Sequence, residues 1–242
     1  MNEQKTTDPN QEQRTGSWFH QEAETAREQG RYLDALVACD QAIYHYGQEA
    51  NTVKFAEAHA SRSLAKRRIF AETGDGSWLI SAKGDAQSAY DIMHAAGGRV
   101  GVAVPLYSLG KIQEELGDSR TAIISYSKAI EILAEAHDDP QSRPAFIAEM
   151  WTRFDIVKYN GGKLDRFEED FKGILDDENE PQYNRNVLAT GALIHMSEVL
   201  LKKGQKEDAR KFADRAKQII DSDPALTERK KDYDRLMAKI AA

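Results

Sequence analysis

Pairs of small residues seven positions apart recur along this chain, as Ala35/Ala42, Ala82/Ala89, Ala122/Ala129 and Ala209/Ala216, with Phe167/Ile174 in the same phase. The first members are separated by 47, 40, 45 and 42 residues. Seven residues is about two helical turns, so each pair lies on one face of a helix. Cys39, Ala86, Tyr126, Phe171 and Ala213 stand between the members and continue the same stripe. Small side chains on such a stripe let a neighbouring helix approach closely. Recurrence at a near-constant spacing implies stacked helix hairpins, because one hairpin alone cannot bury its apolar stripe.

The punctuation agrees with that reading. Breaks fall at Gly30, Gly47, Thr73 to Gly76, Gly97-Gly98, Gly117, Asp138 to Pro140, Gly161-Gly162, Asp176 to Pro181, Gly204 and Asp223-Pro224. Glycine, aspartate and proline there supply the chemistry of helix ends and restarts. The spacing predicts helices over 17–29, 32–46, 52–72, 77–96, 101–116, 119–137, 143–159, 163–175, 182–203, 206–221 and 226–240. Ser142 before Pro144, and Thr227 before Glu228, read as helix starts. Residues 1–15 are polar, carry Pro9 and show no apolar period, so they read as a disordered tail. No sustained alternation of apolar and polar residues argues for strands.

The third repeat, YSLGKIQEELGDSRTAIISYSKAIEIL over 107–133, resembles the tetratricopeptide repeat family. Leu109, Gly110, Gly117, Ala122, Tyr126 and Ala129 carry the likeness there. Ala23, Gly30, Tyr32, Ala35 and Ala42 carry it in the first repeat, and Ser197, Gly204, Ala209, Ala216 and Pro224 in the last. The second repeat has a longer turn between its helices. The fourth keeps Trp151 and a Gly-Gly turn but has large side chains in place of both alanines. The repeat is also longer than the family's usual one. The resemblance implies an all-α, right-handed α-solenoid of about five such helix hairpins over 16–224, closed by a C-terminal capping helix over 225–242.

Composition narrows the function. The 242 residues carry 33 Lys+Arg against 40 Asp+Glu, a net charge of −7, which disfavours broad nucleic-acid binding. No stretch approaches the roughly 20 apolar residues of a membrane span, and the N-terminus has no apolar signal-peptide core. One cysteine, Cys39, allows no disulfide framework or cysteine zinc cluster. A cytoplasmic setting fits these features. The histidines, His20, His45, His59, His94, His137 and His195, are dispersed with no metal-ligand spacing. No phosphate-binding loop and no nucleophile–base pair is present, so the expectation is a protein that is not an enzyme and needs no cofactor or metal.

Two charge runs stand out. Residues 54–70 hold Lys54, Arg62, Lys66, Arg67 and Arg68 against Glu57 alone, and residues 165–180 hold eight acids against two bases. In the resembled family the first helices of the hairpins line a concave groove. Its register implies that His20, Glu24 and Arg27, then His59, Arg62 and Lys66, then Tyr107, Lys111 and Glu114 face that groove. Thr152, Ile156 and Tyr159, and then Ile194, Glu198 and Leu201, complete it. The expected binding residues are Arg27, His59, Arg62, Lys66, Tyr107, Lys111 and Tyr159, with Arg62, Lys66 and Lys111 supplying positive charge to an acidic peptide. The competing reading is that these cations pair with neighbouring glutamates such as Glu24 and Glu114, leaving no net positive site. The asparagines of the family's chaperone-docking clamp have no counterpart here. The resemblance implies a scaffold or adaptor that binds a peptide or helix of a protein partner. The alternative is a bacterial-type, peptide-sensing regulator acting on a separate effector chain.

Overall fold

The computed structural model describes residues 14–136 and 138–242. Most of the expected N-terminal tail lies outside these residues, as does His137. Eleven α-helices follow one another among the described residues, with no strand: α1 (Gly16–Glu28), α2 (Tyr32–Gln48), α3 (Thr52–Thr73), α4 (Gly76–Ala95), α5 (Ala103–Glu115), α6 (Ser119–Glu135), α7 (Pro144–Tyr159), α8 (Leu164–Leu175), α9 (Gln182–Lys202), α10 (Lys206–Ser222) and α11 (Thr227–Ala241). A short 3-10 turn, Val100–Val102, leads into α5. The chain gathers into two compact units that divide after Ser108, within α5.

Helix starts are chemically marked. The side chains of Asn51, Asp75 and Asp118 each accept a hydrogen bond from a backbone N–H in the first turn of α3, α4 and α6. Ser142 does not cap α7. Its hydroxyl donates to the Leu133 carbonyl at 2.5 Å, and the α7 N-terminus is served instead by Asp177, whose carboxylate accepts from Ala145 N at 3.0 Å. Thr227 likewise is the first residue of α11 rather than its cap.

The first unit packs α1 on α2, α2 on α3 and α3 on α4. The alanine stripes form its seams, with Ala35, Ala42, Ala82 and Ala89 all buried. Two close approaches need a residue without Cβ or with a short donor. A Cβ on Gly16 would lie 2.5 Å from the Tyr46 ring. Ser63 of α3 donates its hydroxyl to the Ala82 carbonyl of α4 at 2.8 Å.

The second unit repeats both devices. A Cβ on Gly110 would lie 2.4 Å from the Tyr126 ring, and Ser197 of α9 donates to the Ala209 carbonyl of α10 at 2.7 Å. Its core joins Phe167, Phe171 and Ile174 of α8 to Leu193 and Met196 of α9, Phe212 of α10, and Leu236 and Ile240 of α11. Large residues in the α8 stripe are therefore accommodated in a core of large side chains. Helix α9 is buried almost all round, from Ala189 to Ser197. Its segment from Asn186 to Ser197 carries no formally charged side chain apart from what His195 can gain, and a helix without a polar face is a core helix.

Candidate functional site

In the first unit, α1 and α3 lie side by side, and His20 Nε2 is 2.8 Å from Ser61 Oγ. Desolvation lowers the His20 pKa, favouring the neutral ring. On α3, His59, Arg62 and Lys66 are spaced to share one face, and all three turn to Asp85 of α4. Arg62 Nη2 donates to Asp85 Oδ1 at 2.6 Å, and its Nε lies 3.1 Å from both carboxylate oxygens. Lys66 Nζ reaches Asp85 Oδ2 at 2.7 Å, and His59 Nδ1 sits 3.6 Å from Oδ1. The Asp85 side chain is only 7% exposed. Burial works to raise its pKa, and the hydrogen bonds from His59, Arg62 and Lys66 outweigh it, holding the carboxyl well below the usual carboxylate range.

Arg62 has a second partner of a different kind. Its Nη1 donates to Asp40 Oδ1 at 2.5 Å, and the Asp40 side chain is 58% exposed. The Arg62 pKa is pulled down by burial and raised, on balance, by Asp85 and Asp40. Arg62 and Lys66 thus pair with aspartates of α2 and α4 rather than with Glu24 or Glu114. Arg27 is half-buried on α1. Tyr107, expected to offer a flat contact face, is only 1% exposed. Around it Ala103, Leu106 and Leu109 are also buried, because α5 is uncharged from its start to Lys111.

Lys111 and Tyr159 belong to the second unit. Lys111 is half-buried. Tyr159 has Lys158 Nζ 5.3 Å and Arg166 Cζ 5.7 Å from its ring centroid. The other residues expected on the inner face there are mostly filled in, since Thr152, Ile156 and Ile194 are buried. Glu114 is engaged as an acceptor. His195 Nε2 donates to it, the Tyr126 hydroxyl donates at 2.9 Å, and Arg153 Nη1 lies 3.9 Å away. Burial raises the Glu114 pKa, and His195, Arg153 and Tyr126 more than reverse this, bringing it down to about 2. Arg153 also donates from Nε to Glu149 at 2.9 Å.

The second unit also contains a cleft of about 210 Å³ lined by Trp151 and Asp155 of α7 and Arg166, Glu169 and Asp170 of α8. Sequence reasoning singled out the acidic run but not this cleft. Much of the run has structural work. Asp177 caps α7, Glu180 accepts from Arg143 at 2.7 Å, and Glu168 pairs with Arg215 at 2.5 Å. Glu169 and Asp170 remain at the cleft. Cys39 is buried, and burial pushes its thiol up to about 12, which suits a packing role. Among the described residues no group of three or more His, Cys, Asp or Glu side chains is placed to hold a metal ion. No described helix is long and apolar enough to cross a membrane.

Residues 104–132 match the tetratricopeptide repeat family. No curated protein sequence matches the chain. Among solved structures it is similar to BtubC from P. vanneervenii, at 17% identity over 86% of this chain and 81% of that one, with a TM-score of 0.56. It is similar to aspartyl phosphate phosphatase F from Bacillus subtilis, at 16% identity over 98% of this chain and 60% of that one, with a TM-score of 0.58. The Rap conjugation gene regulator of the plasmid pLS20, solved with a Phr peptide, matches at 15% identity over 90% of this chain and 56% of that one, with a TM-score of 0.63. The chain therefore spans less than two thirds of the latter two proteins. These likenesses establish a fold of tetratricopeptide-like helical repeats.

Proposed function

We propose that this chain is a non-catalytic protein-interaction module that holds an acidic peptide or helix of a protein partner on the face shared by α1 and α3. The observation that carries the reading is the asymmetry of the two Arg62 partners. Asp85 is buried and fixes the guanidinium in place, whereas Asp40 is 58% exposed and holds Arg62 by one contact. An incoming carboxylate has only to replace Asp40 to gain a charge-assisted hydrogen bond from a pre-positioned arginine. His59 and Lys66 share Asp85 with Arg62, and Arg27 on the neighbouring α1 adds positive charge to the same face.

Fluorescence anisotropy with a labelled, capped Asp/Glu peptide tests this. Binding is expected to weaken as salt rises. Asp40→Asn removes the competing carboxylate and should tighten binding several-fold, while Arg27→Glu should weaken it. Absence of binding by both wild type and Asp40→Asn overturns the acidic-ligand reading. Affinity capture with mass spectrometry then tests the wider module reading, which fails if no protein is enriched.

The peptide held by the Rap conjugation gene regulator supports a second reading, a peptide-sensing regulator that acts on a separate effector chain. It predicts that a bound peptide changes which second chain is captured.

A further inference from the structure

The cleft between α7 and α8 is short of positive charge. Asp155, Glu169 and Asp170 line it against a single guanidinium, that of Arg166. Asp155 is 4% exposed, and its Oδ2 lies 3.5 Å from Arg166 Nη1. Its Oδ1 is buried without any hydrogen-bond partner. A buried carboxylate oxygen left without a donor is costly, and native structures rarely tolerate one without a reason. One wall of the cleft is Trp151, one turn before Asp155 on α7 and 38% exposed. Its ring stands edge-on to Phe154 at 5.3 Å between centroids.

We propose that this cleft is a binding site for an arginine side chain of a partner protein, with the guanidinium donating to Asp155 and Asp170 and lying against the Trp151 ring. A second guanidinium supplies what Arg166 alone does not, further N–H donors and a further positive charge, on a flat group that packs on an indole. The carboxylates give bidentate acceptors of matching geometry. The site is separate from the α1/α3 face and does not depend on that reading.

The ionisation of Asp170 supports the assignment. Burial, then the charges of Asp155 and Glu169, push its pKa up to about 7 against the pull of Arg166. Asp155 is raised as well, by burial, against Arg166 and Lys158. From the neighbouring α10, Arg215 is engaged by Glu168. A cation binds the ionised carboxylates, so binding releases a proton and strengthens as pH rises through the Asp170 range. With a pKa of about 7, the ionised fraction rises about tenfold between about pH 6 and about pH 8.

The test uses the full chain and three capped glycine-flanked peptides that differ only in a central arginine, lysine or citrulline, read by the NMR shift of the Trp151 indole N–H. The arginine peptide is expected to shift that resonance, with an apparent affinity about tenfold higher at the higher pH. Citrulline, neutral and of the same shape, is expected to leave it unmoved. Asp170→Asn should weaken binding and flatten its pH dependence. Asp155→Asn should weaken it further, and if that variant fails to fold, Asp170→Asn decides alone. No arginine response, or an equal response to citrulline, overturns the proposal. A response to calcium or magnesium chloride but to neither basic peptide overturns it in favour of a divalent-cation site. A stronger response to the lysine peptide overturns the choice of guanidinium.

Discussion

Two aspartates, one in each unit, are buried to a similar degree and live in opposite circumstances. Asp85 in α4 faces His59, Arg62 and Lys66 and is held ionised. Asp155 in α7 has one long contact to Arg166, an unpartnered oxygen, and Asp170 as a competing neighbour. Burial of a carboxylate is thus uninformative by itself. When the cations that surround it are part of the fold, it locks helices together. When they fall short, as at Asp155, an oxygen is left for the partner proposed above to satisfy.

The comparison breaks most visibly at Asp85. Asp85→Ala strands Arg62 and Lys66, whose side chains are 22% and 15% exposed, with no buried counter-charge. The expected cost is about 3–5 kcal/mol, measured as a fall in the urea midpoint. A small effect means that the pairing of Asp85 with Arg62 and Lys66 is ornamental. Next comes Glu114→Gln, which weakens the bonds from His195 and Tyr126 by about 1.5–3 kcal/mol. Here pH sharpens the reading. The Glu114 pKa falls from 4.5 to about 2 on folding, so its contribution is present above about 4.5 and is lost as pH drops toward about 2. Urea melts of wild type and Glu114→Gln should converge across that window.

Asp170→Asn goes the other way. Its pKa rises from 3.8 to about 7, so the ionised form is penalised in the folded chain, and stability falls as pH climbs from about 3.8 to about 7. After discounting for partial exposure, removing the charge should stabilise the protein by about 1 kcal/mol at neutral pH. The gain should vanish near pH 4. Thermal melts at the two pH values check this, and destabilisation by Asp170→Asn at neutral pH contradicts the account of an unsatisfied cleft.

The contrast also explains what the sequence disclosed. Seams were legible because the spacing of Ala35/Ala42 or Ala122/Ala129 is local, and all four residues are buried as the period requires. Helix starts were legible for the same reason, as at Thr52 and Ser119, whereas Ser142, read as a start, spends its hydroxyl on the Leu133 carbonyl. Charge pairing was not local. Arg62 and Lys66 were assigned to an open groove because the family register considers the first helices, whereas their partner sits on the second helix, 23 residues beyond Arg62. A signal existed, since an aspartate within the alanine stripe Ala82, Ala86 and Ala89 demands a cation. Tyr107 and Ile194, which the same register turns to the groove, are buried. The uncharged runs around them in α5 and α9 already mark largely buried helices. Asp155 and Asp170 meet across a hairpin turn, and no periodicity within either helix announces the encounter.

The most direct test is a carboxyl-carbon NMR titration of Asp85 and Asp170 in the same sample. Asp85 is expected to stay ionised far into acid, below the ordinary carboxylate range of about 4. Asp170 is expected to titrate near about 7 and to move down when the arginine peptide is added. Two ordinary midpoints near about 4, unmoved by the peptide, contradict the claim that one buried carboxylate is satisfied by the fold and the other awaits a partner.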